Sequence, residues 1–342
     1  LIKRIITILL LMVMIISACF AIAGCSRPKK NPGFALAVEY NTHAACAYVA
    51  QSKGWLSEKG YDQGAFDVYA TGVALAGALT KGGVDAAYIC LIPAIAAYAN
   101  ADVPIKIVCG THKYGYALVV DPSKVSTIKD LEKGSVKIGC VREGGTTDIL
   151  LHKIIERYGL DKKKVLGNVL RMNPAKQIMA IKAKKLDAVV VPEHFATIAE
   201  QKLGLKMLVK SQDVWPQMQG SVLIVTDRLL RENPTAVRDL FKITSMATDY
   251  INEHPSEAAE IVANKLNAFQ EAVNLKEMAD GNSDFDVTLD LLSCSMANLE
   301  YTTQIDQAEV QEVIDFMLQL GYIKERFSAS DILLEQSHFT GE

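Results

Sequence analysis

The stretch "VREGGTTDILL", residues 141–151, sets Arg142, Thr146 and Thr147 around Gly144 and Gly145. A strand-like run (136–141) precedes it and an amphipathic helix follows. The first N–H groups of a helix have no intrahelical acceptor and lie at the positive end of its dipole. With a guanidinium and two hydroxyls beside them, they make a seat for a small anion. The chemistry this spacing suggests is recognition rather than bond-making. His43, His112 and His194 all fall near predicted strand ends and could serve as acid, base or metal ligand if they converged. Tens of residues separate them, and none has the i, i+4 partner common in zinc sites. No metal and no cofactor are expected. G-x-S-x-G, H-E-x-x-H, Walker and G-x-G-x-x-G motifs are all missing, so no enzyme class announces itself.

The elements that must position these residues alternate, strand then helix, from Phe34 to Val209, as in an α/β fold. Phe34–Tyr40 reads as a strand, and Thr42 as the cap of a helix reaching Lys53. Strands are also expected at 66–69, 84–89 and 105–109, with helices at 73–80 and from Pro93. The order then recurs about a hundred residues later. "VYATGVALAGALTKGGVDAAY" (68–88) aligns without a gap to "LRMNPAKQIMAIKAKKLDAVV" (170–190), and "NTHAACAYVAQSKG" (41–54) to "TTDILLHKIIERYG" (146–159). Two similar halves follow. Asp85 and Asp187 occupy matching turns before a strand, where an aspartate binds local backbone N–H groups, so they are read as structural. From Pro234 onward the chain reads helical, with Val310, Val313, Ile314, Phe316, Met317 and Leu320 on one apolar face.

Open α/β sheets bind ligands beyond the carboxyl ends of their strands. Applied to both halves, that rule collects Tyr40, Asn41, Thr42, His43, Thr71, Gly72, Ile92 and Pro93 from the first. From the second it takes Arg142, Glu143, Gly144, Gly145, Thr146, Thr147, Asn173, Glu193 and His194. Two such sets facing each other would enclose a cleft.

The chain opens with Lys3 and Arg4, a long apolar run (5–22), then small residues and Cys25. This is the layout of a signal peptide over residues 1–24. "IAGC" (22–25) resembles a bacterial lipobox, which implies lipid on Cys25, a tether over 25–33, and a protein held on the outer face of the cytoplasmic membrane. Losing Lys3 and Arg4 takes the net charge from −3 to −5, and that acidity excludes the basic surface of a nucleic-acid binder. Of seven cysteines, Cys46, Cys90, Cys109 and Cys140 sit among apolar neighbours and read as buried small hydrophobes; Cys294 is the fifth outside the leader and lipobox.

Three segments together resemble the solute-binding lipoproteins of ABC importers for nitrate, taurine, alkanesulfonates and thiamine-precursor pyrimidines (the NMT1-like group). They are "YATGVALAGALTKGGVDAAYICLIPAIAAYANADVPIKIV" (69–108), "GSVKIGCVREGGTTDILLHKIIERYGLD" (134–161) and "VTDRLLRENPTAVRDLFKITSMATDYINEHPSEAAEIVANKL" (225–266). The resemblance implies a two-domain type II periplasmic-binding-protein fold: two parallel or mixed sheets flanked by helices, with a cleft between. Domain 1 would comprise 34–118 and 219–342, domain 2 119–218, with crossovers near Tyr116–Val120 and Gly220–Val225 and C-terminal helices on domain 1. It also implies a monomer that closes on a small-molecule ligand and delivers it to a permease and its ATPase, without catalysis. Arg142, Thr146 and Thr147 favour a small organic anion such as a sulfonate. Glu39, Glu143 and Glu193 near strand ends favour instead an aminopyrimidine, with Tyr40 or Trp215 stacking on its ring. An enzyme or a sensor on the same fold is the remaining alternative.

Overall fold

The computed structural model describes residues 33–61, 66–271, 273, 285–335 and 339. The signal peptide, Cys25 and the tether up to residue 32 lie outside them. Strands alternate with helices in both halves. In the first, β1 (Leu36–Glu39) leads through a 3-10 turn (Thr42–Ala44) into α1 (Ala45–Ser52). Then come β2 (Asp67–Tyr69), α2 (Gly72–Thr80), β3 (Ala86–Cys90), α3 (Leu91–Ala101) and β4 (Ile105–Tyr114). The second half runs β5 (Tyr116–Val120), β6 (Ile138–Cys140), α4 (Thr146–Arg157), β7 (Val169–Arg171), α5 (Pro174–Lys182), β8 (Ala188–Pro192), α6 (Glu193–Leu203) and β9 (Lys206–Lys210). The chain returns through β10 (Gln219–Thr226) to α7 (Pro234–Glu253), α8 (Pro255–Phe269), α9 (Leu289–Met296), β11 (Leu299–Glu300) and α10 (Gln307–Gln319).

The first sheet has the order β11-β4-β10-β3-β1-β2 and the second β7-β6-β8-β5-β9. In each, three strands run parallel (β2-β1-β3 and β7-β6-β8), and an antiparallel strand, β10 in the first sheet and β5 in the second, lies beside the third. The short central strands are apolar throughout, as "AVVVP" in β8 and "AAYIC" in β3, because helices cover both faces of such sheets. Each Val, Leu or Ile buried this way contributes about 1.5–3 kcal/mol.

The internal repeat extends to single bonds. Asp85 accepts the Ala35 N–H at 3.0 Å, and Asp187 accepts the Lys137 N–H at 2.8 Å, each tying the start of a strand to the turn fifty residues on. Both aspartates are therefore structural; Asp85 also pairs with Arg228.

The chain passes from the first sheet to the second at Gly115 and returns between Lys210 and Gln219. Gly115 has φ +91°, which disfavours any side chain, and a Cβ there would lie 2.8 Å from His43 Nε2. Helices α7 and α8 pack on α1 of the first half. Helix α9 packs on α8 and also on α6 of the second half, and Lys153 on α4 pairs with Glu312 on α10 at 3.0 Å. The C-terminal segment thus touches both halves, which the apolar periodicity alone did not foretell. Among the described residues, no helix is long and apolar enough to cross a membrane.

Candidate functional site

The carboxyl ends of all six parallel strands meet around one cavity of about 240 Å³. Glu39, Tyr40 and Asn41 reach it from β1, Thr71 and Gly72 from β2, and Cys90 and Pro93 from β3 and the first turn of α3. From the other half come Arg142, Gly145, Thr146 and Thr147 after β6, Arg171, Met172 and Asn173 after β7, and Pro192 and Phe195 after β8. Matching residues cap matching helices: Thr71 Oγ1 accepts the Ala74 N–H at 3.2 Å, and Asn173 Oδ1 accepts the Lys176 N–H at 2.8 Å.

Ten of the residues expected at a cleft line this cavity: Tyr40, Asn41, Thr71, Gly72, Pro93, Arg142, Gly145, Thr146, Thr147 and Asn173. Six do not. Thr42 is buried beneath it and does not cap α1; Asn41 caps the 3-10 turn, with Oδ1 accepting the His43 N–H at 3.0 Å. His43 lies behind the wall, its Nε2 2.8 Å from the Gly115 carbonyl. Gly144 faces the Tyr322 ring in a neighbouring hollow. Glu193 is buried, accepting from Asn298 Nδ2 at 2.7 Å and Thr197 Oγ1 at 3.1 Å. His194 packs against Phe195 and edge-on to Tyr40. Trp215 is buried edge-on against Phe316 beneath the Lys153 ammonium, so it cannot stack on anything held here. The rule of strand ends gathers residues around this cavity, but it does not say which side chains at a strand end turn back into the core.

The two walls differ in charge. Glu39 is 3 % exposed, and its carboxyl occupies the helix starts of the first half. Oε1 accepts the Cys90 N–H at 2.7 Å, Oε2 accepts Asn41 Nδ2 at 3.0 Å, and the Gly72 N–H also donates to the group. Burial pushes the Glu39 carboxyl above its ordinary range against the pull of those donors. Burial and the neighbouring Glu39 push the Cys90 thiol well up. Cys90 is therefore no plain hydrophobe: its Sγ lies 3.0 Å from Glu39 Oε2 and 2.8 Å from Tyr116 Oη.

Across the cavity the donors are open. The Thr146 hydroxyl is buried with no hydrogen-bond partner among the described residues. The Arg142 side chain likewise has none, and the first N–H groups of α4 lack intrahelical acceptors. Arg171 is instead engaged, with Nη1 2.5 Å from Asp148 Oδ1.

The close fit of Gly72 gives a first expected result. A Cβ at Gly72 would lie 2.2 Å from Glu39 Oε1 and 2.8 Å from Pro93 Cγ. Gly72→Ala should cost about 1–3 kcal/mol by overpacking, read as a lower urea midpoint. Gly77→Ala in the same helix, where a Cβ meets nothing within 4 Å, should be neutral or stabilise by about 0.5–1 kcal/mol. Equal behaviour of the two variants would refute the close fit.

A model of the NMT1-like family matches residues 27–267. A candidate binding protein of Brucella abortus (strain 2308) is 29% identical over 238 residues, covering 67% of this chain and 72% of its own length. Among solved structures, a ligand-binding component of an ABC-type import system from Staphylococcus aureus superposes with a TM-score of 0.71 at 18% identity. It covers 90% of this chain and 98% of that one. The periplasmic aliphatic sulphonate-binding protein of Escherichia coli gives 0.66 at 16%, covering 88% and 97%. The periplasmic nitrate-binding protein of Synechocystis PCC 6803 gives 0.67 at 15%, covering 85% and 82%. At these identities the structural matches speak for the fold: two sheets flanked by helices, as in periplasmic binding proteins.

Proposed function

Because the chain belongs to the NMT1-like family, we propose that it is the solute-binding component of an ABC importer, capturing a small organic anion in the cavity between its two sheets. One observation carries the reading: the buried, unpartnered Thr146 hydroxyl and the unpartnered Arg142 guanidinium stand together at the start of α4, on the cavity wall. The unpaired buried Thr146 hydroxyl costs free energy in the empty protein, which an oxyanion recovers, and the exposed Arg142 guanidinium supplies the opposite charge. The Glu39 carboxyl on the facing wall repels a second negative charge and welcomes a donor. The solute therefore carries an anionic end for Arg142 and a hydrogen-bond donor at the other, as an aminosulfonate does. Domain closure holds it, opening releases it to a permease and its ATPase, and no bond is made or broken. The "IAGC" lipobox and the tether would keep the protein at the outer face of the membrane.

A second reading keeps its own support. A buried carboxyl on the cavity wall suits an aminopyrimidine, whose amine and ring nitrogens can pair with it, and Tyr40 lines the same cavity. Thermal unfolding with taurine, alkanesulfonates, nitrate and aminopyrimidines separates the two. A solute at a hundred times its dissociation constant adds about 2.7 kcal/mol, a midpoint shift of roughly a few degrees. We expect a shift with aminosulfonates that Arg142→Ala weakens about ten- to a hundredfold in solute concentration. A shift with aminopyrimidines alone, lost in Glu39→Gln and kept in Arg142→Ala, would overturn the anion reading. No shift with any solute would count against solute capture itself.

A further inference from the structure

At the cavity wall, three side chains from three different elements converge: Glu39 at the end of β1, Cys90 at the end of β3 and, behind them, His43 in the 3-10 turn. One potential ligand atom from each lies within 4.8 Å of the other two, and all three residues are buried. Cys90 Sγ is 3.0 Å from Glu39 Oε2 and 3.8 Å from His43 Nδ1. We propose that this cluster is a site for a divalent, zinc-type metal ion, with one coordination position open to the solute cavity.

Four features support it. The donor set, one thiolate, one imidazole and one carboxylate, is of the borderline-soft kind that zinc takes. The histidine is already in the ligating tautomer: Nε2 lies 2.8 Å from the Gly115 carbonyl, which can only accept, so Nε2 carries the hydrogen and Nδ1 offers a lone pair. Glu39 is oriented by the Cys90 N–H on Oε1, leaving Oε2 toward the sulfur. Finally, the charges balance. A doubly charged cation with a thiolate and a carboxylate is neutral overall, which removes the cost of burying each anion alone. Binding releases the Cys90 thiol proton to solvent, along with any proton on Glu39.

Three protein ligands leave a tetrahedral ion one position, as in sites that bind substrate. Glu39, Cys90 and Tyr116 line the cavity while His43 does not, so that position faces the cavity. An amine or oxygen of the solute would fill it. This last step rests on the solute-binding reading; the metal site itself does not.

The test is the full chain stripped of metal with a chelator and titrated with Co²⁺ or Zn²⁺ alone. We expect saturation at one ion per chain, visible cobalt bands of tetrahedral intensity, and a thiolate-to-cobalt absorption in the near ultraviolet. The thiolate band should vanish in Cys90→Ser and persist in Cys140→Ser, whose sulfur is buried elsewhere. Zinc-edge absorption of the unaltered chain should show one sulfur among nitrogen and oxygen neighbours, which decides the matter even if Cys90→Ser fails to fold. A folded chain with no thiolate band, or one whose band survives Cys90→Ser, would overturn the site. If the cobalt bands are intact but no solute perturbs them or the melting midpoint, the metal site stands and solute capture falls.

Discussion

Asp148→Ala is expected to lower the unfolding free energy by about 3 kcal/mol and to abolish any solute response. The Asp148 side chain is fully buried and holds three donors. Arg171 Nη1 lies at 2.5 Å, Tyr322 Oη at 2.6 Å and the Gly144 N–H at 3.0 Å. Alanine would leave the guanidinium without its counter-charge and two more donors without acceptors. Arg171 keeps some contact with solvent, which places the cost toward the lower end of the range for a broken buried pair. The functional loss has a geometric cause. The Gly144 bond fixes the turn that carries Arg142 and Thr146 to the cavity, so the loop loses its set position with the carboxylate. Asp148→Asn retains an acceptor for Tyr322 and Gly144, and should fall between the two. Urea unfolding and solute titration of both variants check this; an alanine variant within 1 kcal/mol of the unaltered protein would remove the carboxylate from its organising role.

Acid should destabilise the protein gently from about pH 6.5 to 4.5 and steeply below that. Burial holds His43 at about 4 and His194 at about 3, and burial with the nearby His43 pushes His112 down as well. An unfolded histidine takes up its proton near 6.5. Between that pH and the folded value, the unfolded chain binds more protons, so stability falls as pH falls, by about 1.4 kcal/mol per pH unit for each histidine. Two glutamates act the other way. Burial raises Glu193 to about 7 and raises Glu39. On acidification the folded state protonates them first, so they add stability down to the unfolded value near 4.5 and nothing further below it. Urea midpoints in chelator at pH 7.5, 6, 5, 4 and 3.5 read the profile. Glu193→Gln, which removes one opposing group, should steepen the loss above pH 4.5. A steeper fall above pH 4.5 than below it would contradict the assignment of these buried groups.

Local pattern explains why much of this arrangement was legible in the sequence. Alternating strands and helices, the turns of Asp85 and Asp187, and the Gly-Gly-Thr-Thr step each depend on neighbours along the chain. The paired sheets and the region of the cavity follow from them. Arg171 ends β7 and is within reach of the same strand-end rule, which picks out Asn173 two residues further on. Cys90 was hidden by its context: "YICLI" is apolar because β3 is buried, and nothing local shows that its last residue faces a carboxyl group from β1. Glu39 is expected near a strand end, as a carboxylate suited to an aminopyrimidine. Its partners are backbone N–H groups of distant helix starts, which no spacing along the chain encodes. Trp215 misled because a tryptophan between the two halves suits a ring-stacking role equally well as the core role it has against Phe316.

The carboxyl group of Glu39 also decides what the first half will ignore. Its oxygens stand where a free oxyanion would otherwise settle, at the N–H groups of Gly72 and Cys90. A group fixed to the chain competes at an effective concentration that no dilution lowers. Sulfate, phosphate and nitrate in the surroundings can rise without displacing it. The first half is thus closed to inorganic salts from within, and discrimination among charged solutes falls to the arginine-bearing half alone.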